Sequence, residues 1–194
     1  LSVEALKPIA SGFDQNDWAD SDPGRLLRAL GLEPTFEALN RITPWRFAAP
    51  LAPPMAARLE GRDLPLAPVV ELCAARLAAS RADLFVVEGV GGLMSPLADD
   101  GTGLDLITAL AMPTLLVGGS YLGALSHTLT ALEVLQARGH PVAAVVVSQD
   151  SDPLAPDFAS SVAMVAAHAG SRAVLNVPRT GREDWATAIL TRLI

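Results

Sequence analysis

A chain of 194 residues is the length of one domain and can bury roughly 70% of its unfolded surface, so it folds without staples. With 21 acidic against 14 basic residues and a pI near 4.8, its surface repels nucleic acid and anionic membranes, leaving small molecules or protein as partners. The single cysteine, Cys73, excludes an internal disulfide and fits a reducing cytoplasm.

No signal peptide is expected from the first residues, since Glu4, Lys7 and Pro8 stand where an apolar segment would be needed. A first strand is expected over Val3 to Leu6, running into Lys7-Pro8-Ile9-Ala10-Ser11-Gly12. A helix follows over Pro23 to Leu30, with Asp22-Pro23 reading as N-cap and first helical residue and Gly31 as the C-terminal cap. The proline-rich part Pro44 to Pro54 reads as an ordered loop. Helices come next over Pro53 to Glu60, closed by Gly61, and over Pro68 to Ser80. In the second of these Cys73 lies in the apolar stripe of Val69, Val70, Leu72 and Leu77, and no histidine is near it in sequence, so it reads as a core thiol rather than a nucleophile.

The strand Leu84 to Val87 ends in Glu88 and then in Gly89, Gly91 and Gly92. A flexible turn explains the glycines but not the carboxylate, which is costly at the end of an apolar strand unless paired, solvated or metal-bound. A helix is expected over Gly103 to Met112. Residues 106–132 contain no Asp, Glu, Lys or Arg, long enough to raise a membrane span. Pro113, Gly118-Gly119, Ser126, His127 and Thr128 instead break the run into helix, strand and helix. The strand is Thr114 to Val117, followed by Gly118-Gly119-Ser120-Tyr121-Leu122-Gly123, and the helix is Tyr121 to Arg138 with Gly139 behind it. The remaining elements are a strand over Val142 to Val147 leading into Ser148-Gln149-Asp150, a helix over Pro156 to His168 with Gly170, a strand over Ala173 to Val177 and a helix over Arg182 to Leu193.

Short β-branched apolar runs alternating with longer helical patterns describe an α/β fold: a doubly wound, mostly parallel sheet with helices on both faces, in one domain over residues 1–194. Such sheets bind ligands beyond the carboxyl ends of their strands. There the sequence places Lys7, Glu88 with its glycines, the Gly118 to Gly123 segment and Gln149. A lysine, a carboxylate, glycine-rich backbone and helix N-termini on one rim suit a phosphate with a divalent cation. Plainer readings compete: Lys7 as a solvated strand-end lysine, Asp22 as a cap, His127 as an ordinary helix residue. The three histidines show no zinc spacing.

The segments Lys7-Pro8-Ile9-Ala10-Ser11-Gly12, Arg46-Phe47-Ala48-Ala49-Pro50-Leu51-Ala52-Pro53 with Arg58-Leu59-Glu60-Gly61, Val87-Glu88-Gly89-Val90-Gly91-Gly92, Leu122-Gly123 with Ser126-His127, and Asn176-Val177-Pro178 occur in one order over most of the chain. In these segments the chain resembles the ATP-dependent dethiobiotin synthetases, members of the P-loop NTPase superfamily. The resemblance implies a cytoplasmic, homodimeric ligase of biotin biosynthesis that joins 7,8-diaminononanoate to CO2, drawn from bicarbonate, at the expense of ATP with Mg2+. One amine captures CO2 as a carbamate, the carbamate oxygen takes the γ-phosphoryl group, and the second amine closes the ureido ring as phosphate leaves. By motif match Lys7 is the catalytic cation, and Ser11 holds the substrate's polar end. Asp22 and Glu88 serve the metal, and Gly89, Gly91 and Gly92 let the backbone approach the phosphates. Gly123 and Ser126 reach the substrate of the partner subunit, and Gln149 and Pro178 lie by the base.

Departures from the family pattern are also plain. The chain contains no Gly-x-x-x-x-Gly-Lys-Thr phosphate loop. The resemblance leads us to expect one on a unit of roughly thirty residues preceding Leu1, the alternative being a protein without that loop. Ser148-Gln149-Asp150 stands where the family has an Asn-Asp pair that reads adenine, and Tyr121 falls near a position often held by lysine. Two rivals remain open: an amidoligase of the cobalamin-synthesis type, against which the Thr43 to Gly61 segment argues, and a non-catalytic binding or scaffold module.

Overall fold

The computed structural model describes residues 1–180 and 185–193. By its internal contacts the chain divides into two compact units, Leu1–Leu110 and Ala111–Ile194.

The first unit begins with strand β1 (Val3–Leu6) and strand β2 (Ile9–Ser11). Helices α1 (Asp22–Ala29) and α2 (Phe36–Ile42) lead to strand β3 (Trp45–Phe47), and helices α3 (Pro53–Leu59) and α4 (Leu66–Ala79) lead to strand β4 (Leu84–Val87). A small antiparallel pair, β5 (Pro96–Ala98) and β6 (Gly101–Thr102), precedes helix α5 (Gly103–Leu110). β1 and β4 pair in parallel with Leu6 opposite Val87, and β2 pairs in parallel with β3 with Ser11 opposite Phe47. Leu6, Ile9, Phe47, Leu64, Val69, Cys73 and Leu97 form the main core, and Phe13, Leu27, Leu39 and Ile42 form a satellite under α1 and α2.

The second unit is a three-stranded parallel sheet of β7 (Thr114–Gly119), β8 (Val142–Ser148) and β9 (Val174–Val177), in that order. Its helices are α6 (Ala124–Ala137), α7 (Phe158–His168) and α8 (Trp185–Leu193). β8 is the middle strand, and its Ala144, Val145, Val146 and Val147 are all buried, which is why the sequence there is an unbroken apolar run rather than an alternation. The core is Leu132, Val145, Val147, Val165 and Ala169. α6 lies so close to β7 that a Cβ on Gly118 would come within 2.1 Å of Thr128 Oγ1. Gly118 therefore has no room for a side chain.

The structure corrects several sequence expectations. Pro44 to Pro54 is not wholly loop, since Trp45–Phe47 pairs with Ile9–Ser11 as a strand; proline flanks the segment without entering its ladder. α2, β2, β5 and β6 are too short to leave a periodic signal. Gly118 and Gly119 belong to β7, so the turn after it is shorter than expected. α6 starts at Ala124, because Gly123 takes φ +95° and breaks the helix behind it. α5 ends at Leu110, as Ala111 adopts φ 51° ahead of Pro113. The expected helix over Arg182 to Leu193 is seen as Trp185–Leu193, and 182–184 lie outside the described residues. Gly31, Gly61, Gly139 and Gly170 close their helices with positive φ as expected. Among the described residues no helix is long and apolar enough to cross a membrane.

Candidate active site

In the first unit the strand register brings together residues 81 positions apart. Because Leu6 faces Val87, the next residues, Lys7 and Glu88, leave the sheet side by side, and Glu88 N–H still donates to Leu6 O at 2.8 Å. Lys7 is 3% exposed, its own N–H held by Ile42 O. Its Nζ donates to Glu88 Oε1 at 2.7 Å and Gly89 O at 3.1 Å, and lies 3.2 Å from Asp22 Oδ2. The solvated-lysine reading is thereby set aside, since an ammonium this buried needs these partners.

Asp22 is free to take part because it is not the cap. Ser21 is: its Oγ accepts from Gly24 N–H and donates to Trp18 O, while Asp22 occupies the first helical position. The Asp22 carboxylate therefore turns to Lys7 instead of to its own helix. Two carboxylates share one ammonium, leaving one net negative charge. Their side chains stay 65% and 50% exposed, whereas that of Lys7 is 4% exposed. The arrangement has one closed cationic side and one open anionic side.

The loop after Glu88 is shaped by Ser95. Ser95 Oγ accepts from Gly92 N–H at 2.9 Å and Ser95 N–H donates to Gly92 O. Gly91 has φ +71°, and a Cβ there would sit 2.7 Å from Ser95 Oγ. Gly89, Gly91 and Gly92 are exposed, their backbone open to solvent. Ser11 ends β2 half-buried and, among the described residues, makes no hydrogen bond to Lys7, Asp22 or Glu88. Arg46, in the expected Arg-Phe segment, is a strut: it donates to Asn40 Oδ1 and Thr43 O and lies over the Phe13 ring. Burial, with Arg62 nearby, lowers its pKa.

In the second unit Gly123 precedes α6, whose N-terminus has no side-chain cap, and Ser126 is exposed in the first turn. Tyr121 Oη and His127 Nδ1 are 3.0 Å apart, so His127 is anchored across that turn. At the ends of β8 and β9, Gln149 N–H donates to Val177 O, while Arg179 N–H donates to Gln149 Oε1 at 2.9 Å and Arg179 Nε to Gln149 O at 2.7 Å. Gln149 and Arg179 line a cavity with Ser120, Asp150, Asp152 and Phe158; Pro178 adjoins it but is not part of its wall. Arg179 escaped the sequence reading, which placed Ser120 on the rim only as part of the Gly118 to Gly123 segment. Ser120, buried, holds the loop by accepting Asp150 N–H at 2.8 Å; the only sign of Arg179 was its place after the last strand.

Among the described residues no group of three or more His, Cys, Asp or Glu is placed to cage a metal. The open Asp22 and Glu88 pair fits an ion that takes one or two carboxylates and completes its shell with water and phosphate.

A protein-family model described as an AAA domain matches residues 1–187. The chain is 54% identical over 99% of its length to the ATP-dependent dethiobiotin synthetase BioD of Phenylobacterium zucineum strain HLK1, covering 82% of that protein. It is 48% identical to the same enzyme of Caulobacter vibrioides strain NA1000 / CB15N, over 95% of the chain and 82% of the relative. It is 50% identical to that of Methylobacterium nodulans strain LMG 21967, over 92% and 80%.

Proposed function

The chain belongs to the ATP-dependent dethiobiotin synthetases, ligases of biotin biosynthesis with a P-loop NTPase-like α/β fold, and we propose that it closes the ureido ring on 7,8-diaminononanoate and CO2 in the way its own residues allow. The observation that carries this reading is the Lys7 ammonium, buried and aimed at the open ends of two strands by Glu88, Asp22 and Gly89 O.

One substrate amine adds to CO2, losing a proton and becoming a carbamate. The carbamate oxygen displaces ADP from the γ-phosphorus of ATP. The second amine then attacks the carbamoyl carbon, phosphate leaves with the electrons of the broken C–O bond, and the amine releases its proton to the departing phosphate or to water. Charge gathers on oxygen at both displacements, and Lys7 is the fixed positive charge that meets it. Its three N–H donors are held by Glu88, Gly89 O and Asp22, so those oxygens take the place of a carboxylate partner as they arrive. Ser11 orients the diamine, and the exposed amides of Gly89 and Gly91 serve the phosphates, with Gly92 letting the backbone approach while its own N–H is held by Ser95. Asp22 and Glu88 would hold Mg2+, which when bound neutralises phosphate charge. Gln149 and Pro178 border the base.

We take the second unit's Gly123 and Ser126 to receive the substrate of a partner subunit, from the uncapped N-terminus of α6, in a homodimer. The family match running through both units supports one ligase domain over residues 1–194, and the buried lone thiol suits the cytoplasm. The run of dethiobiotin synthetases among its relatives disfavours the cobalamin-type amidoligase and the scaffold.

Phosphate release from MgATP by the full-length protein tests the proposal. It should require both diaminononanoate and bicarbonate. Release independent of either would overturn it.

A further inference from the structure

A helix start normally has its open N–H groups covered by the side chain of a Ser, Thr, Asp or Asn cap. α6 has Gly123 there instead, at φ +95° and with no side-chain hydrogen bond. Ala124 N–H donates to Tyr121 O at 3.0 Å, and His127 N–H donates to Gly123 O at 3.2 Å. The N–H groups of Leu125 and Ser126, which lie between, have no partner among the described residues. Held by its backbone alone, such a turn would fray.

Tyr121 ties both sides of this turn. Its carbonyl takes the Ala124 N–H, and its hydroxyl meets His127 Nδ1 at 3.0 Å, six residues on in sequence. The ring is fixed too. It lies against Gly119, the last residue of β7, where a Cβ would come within 2.8 Å of Tyr121 Cδ1 and Cε1. On its other side it stands tilted by 52° to the imidazole, with the ring centroids 5.9 Å apart. Tyr121 therefore clips the end of the strand to the start of the helix, fixing the turn as a cap would without occupying the amides that a cap would use. Global stability does not account for the clip, because Tyr121 is 43% exposed, His127 is exposed, and one net hydrogen bond there adds little to the fold.

We propose that Tyr121 is a positioning residue for the diamine substrate: through its bond to His127 it holds the first turn of α6 so that the Leu125 and Ser126 amides stand ordered and open before the substrate arrives. Binding then spends nothing on ordering the turn. Tyr121 and His127 act on the substrate only through that turn. The inference rests on the reading of Gly123 and Ser126 as substrate contacts.

The test is steady-state kinetics of the full-length protein and its variants, with diaminononanoate and MgATP varied in turn at saturating bicarbonate, beside the thermal midpoint. Tyr121→Phe keeps the ring on Gly119 and removes only the hydroxyl. KM for diaminononanoate should rise about fivefold, the order of one net hydrogen bond, while kcat and KM for MgATP stay within about twofold and the midpoint within about 1 °C. His127→Ala should match Tyr121→Phe, and combining the two should add nothing further. His127→Asn puts an amide nitrogen near the place of Nδ1 and deletes Nε2, so it should restore KM to near wild type. An unchanged KM in Tyr121→Phe overturns the proposal, as do additive losses in the double variant. A rise in both KM values together with a lower midpoint makes the bond merely structural and overturns it too. Failure of His127→Asn to restore KM gives Nε2 a direct role and rejects the clip. Ser126→Ala separates the two failures: if it impairs the use of diaminononanoate and Tyr121→Phe does not, this inference alone fails, and if neither does, the reading of the turn as a substrate contact fails with it.

Discussion

At the scale of single residues the site turns on Lys7, whose charge and geometry are separable by substitution. Lys7→Met keeps the buried stem but removes the ammonium between Asp22 and Glu88. Dethiobiotin formation should fall by at least about 100-fold while circular dichroism stays native, as expected when a charge-stabilising donor is lost. Lys7→Arg should not restore it, because a planar guanidinium cannot enter a site built around a point charge. Retention of more than a tenth of the rate by Lys7→Met would show that the ammonium is structural. Glu88→Gln makes the complementary case: the heat-shift response to MgATP should shrink while that to diaminononanoate persists. Cys73 sits apart from this chemistry. Burial pushes its thiol up from 9.0 to about 11, so the folded protein should resist thiol reagents at pH 8 and label fully in denaturant. Its folded pKa lies above the unfolded one. The contribution to stability is therefore complete below pH 9 and is lost as the pH rises through about 11.

At the scale of elements, the start of α1 shows how a local feature releases a functional side chain. Ser21→Ala should cost about 1 kcal/mol, the usual loss on deleting a cap, and lower the thermal midpoint. Asp22→Asn removes no cap, so its midpoint should stay close to wild type while the MgATP heat-shift response weakens. The reverse pattern would return Asp22 to the structural role that the Asp-Pro pair suggests in sequence. That pair misleads because Asp, Asn, Ser and Thr cap almost equally well, and only the backbone shows which residue lies outside the helix. The long elements were legible, since β4, β7 and β8 are apolar runs and α1, α3, α6 and α7 end on glycine. The pairing of β2 with β3 was not, because three-residue strands have no period to read. Lys7, Glu88 and Gln149 were legible as polar residues at the ends of apolar strands. Their partners were not: the Lys7 contacts depend on strand register, and the Gln149–Arg179 strap joins residues 30 apart across β8 and β9.

At the scale of the whole molecule, the proposed dimer makes a demand that a monomeric enzyme does not. If Ser126 serves the partner's substrate while Lys7 acts on its own, one site draws on two chains, and damage to each can be placed on different subunits. Two inactive variants, Lys7→Met and Ser126→Ala, can then complement when mixed under conditions that exchange subunits. In a mixed dimer with two-fold symmetry of sites, one site receives both lesions and the other receives neither. Random pairing makes half of the dimers mixed, each with one intact site, so activity should recover to about one quarter of wild type. Recovery should rise from zero with exchange time and vanish when subunits cannot exchange. If Ser126 acts within its own chain, every site in the mixture carries one lesion and no activity returns. That outcome would reject the shared site while leaving the Lys7 assignment, tested on the variant alone, untouched.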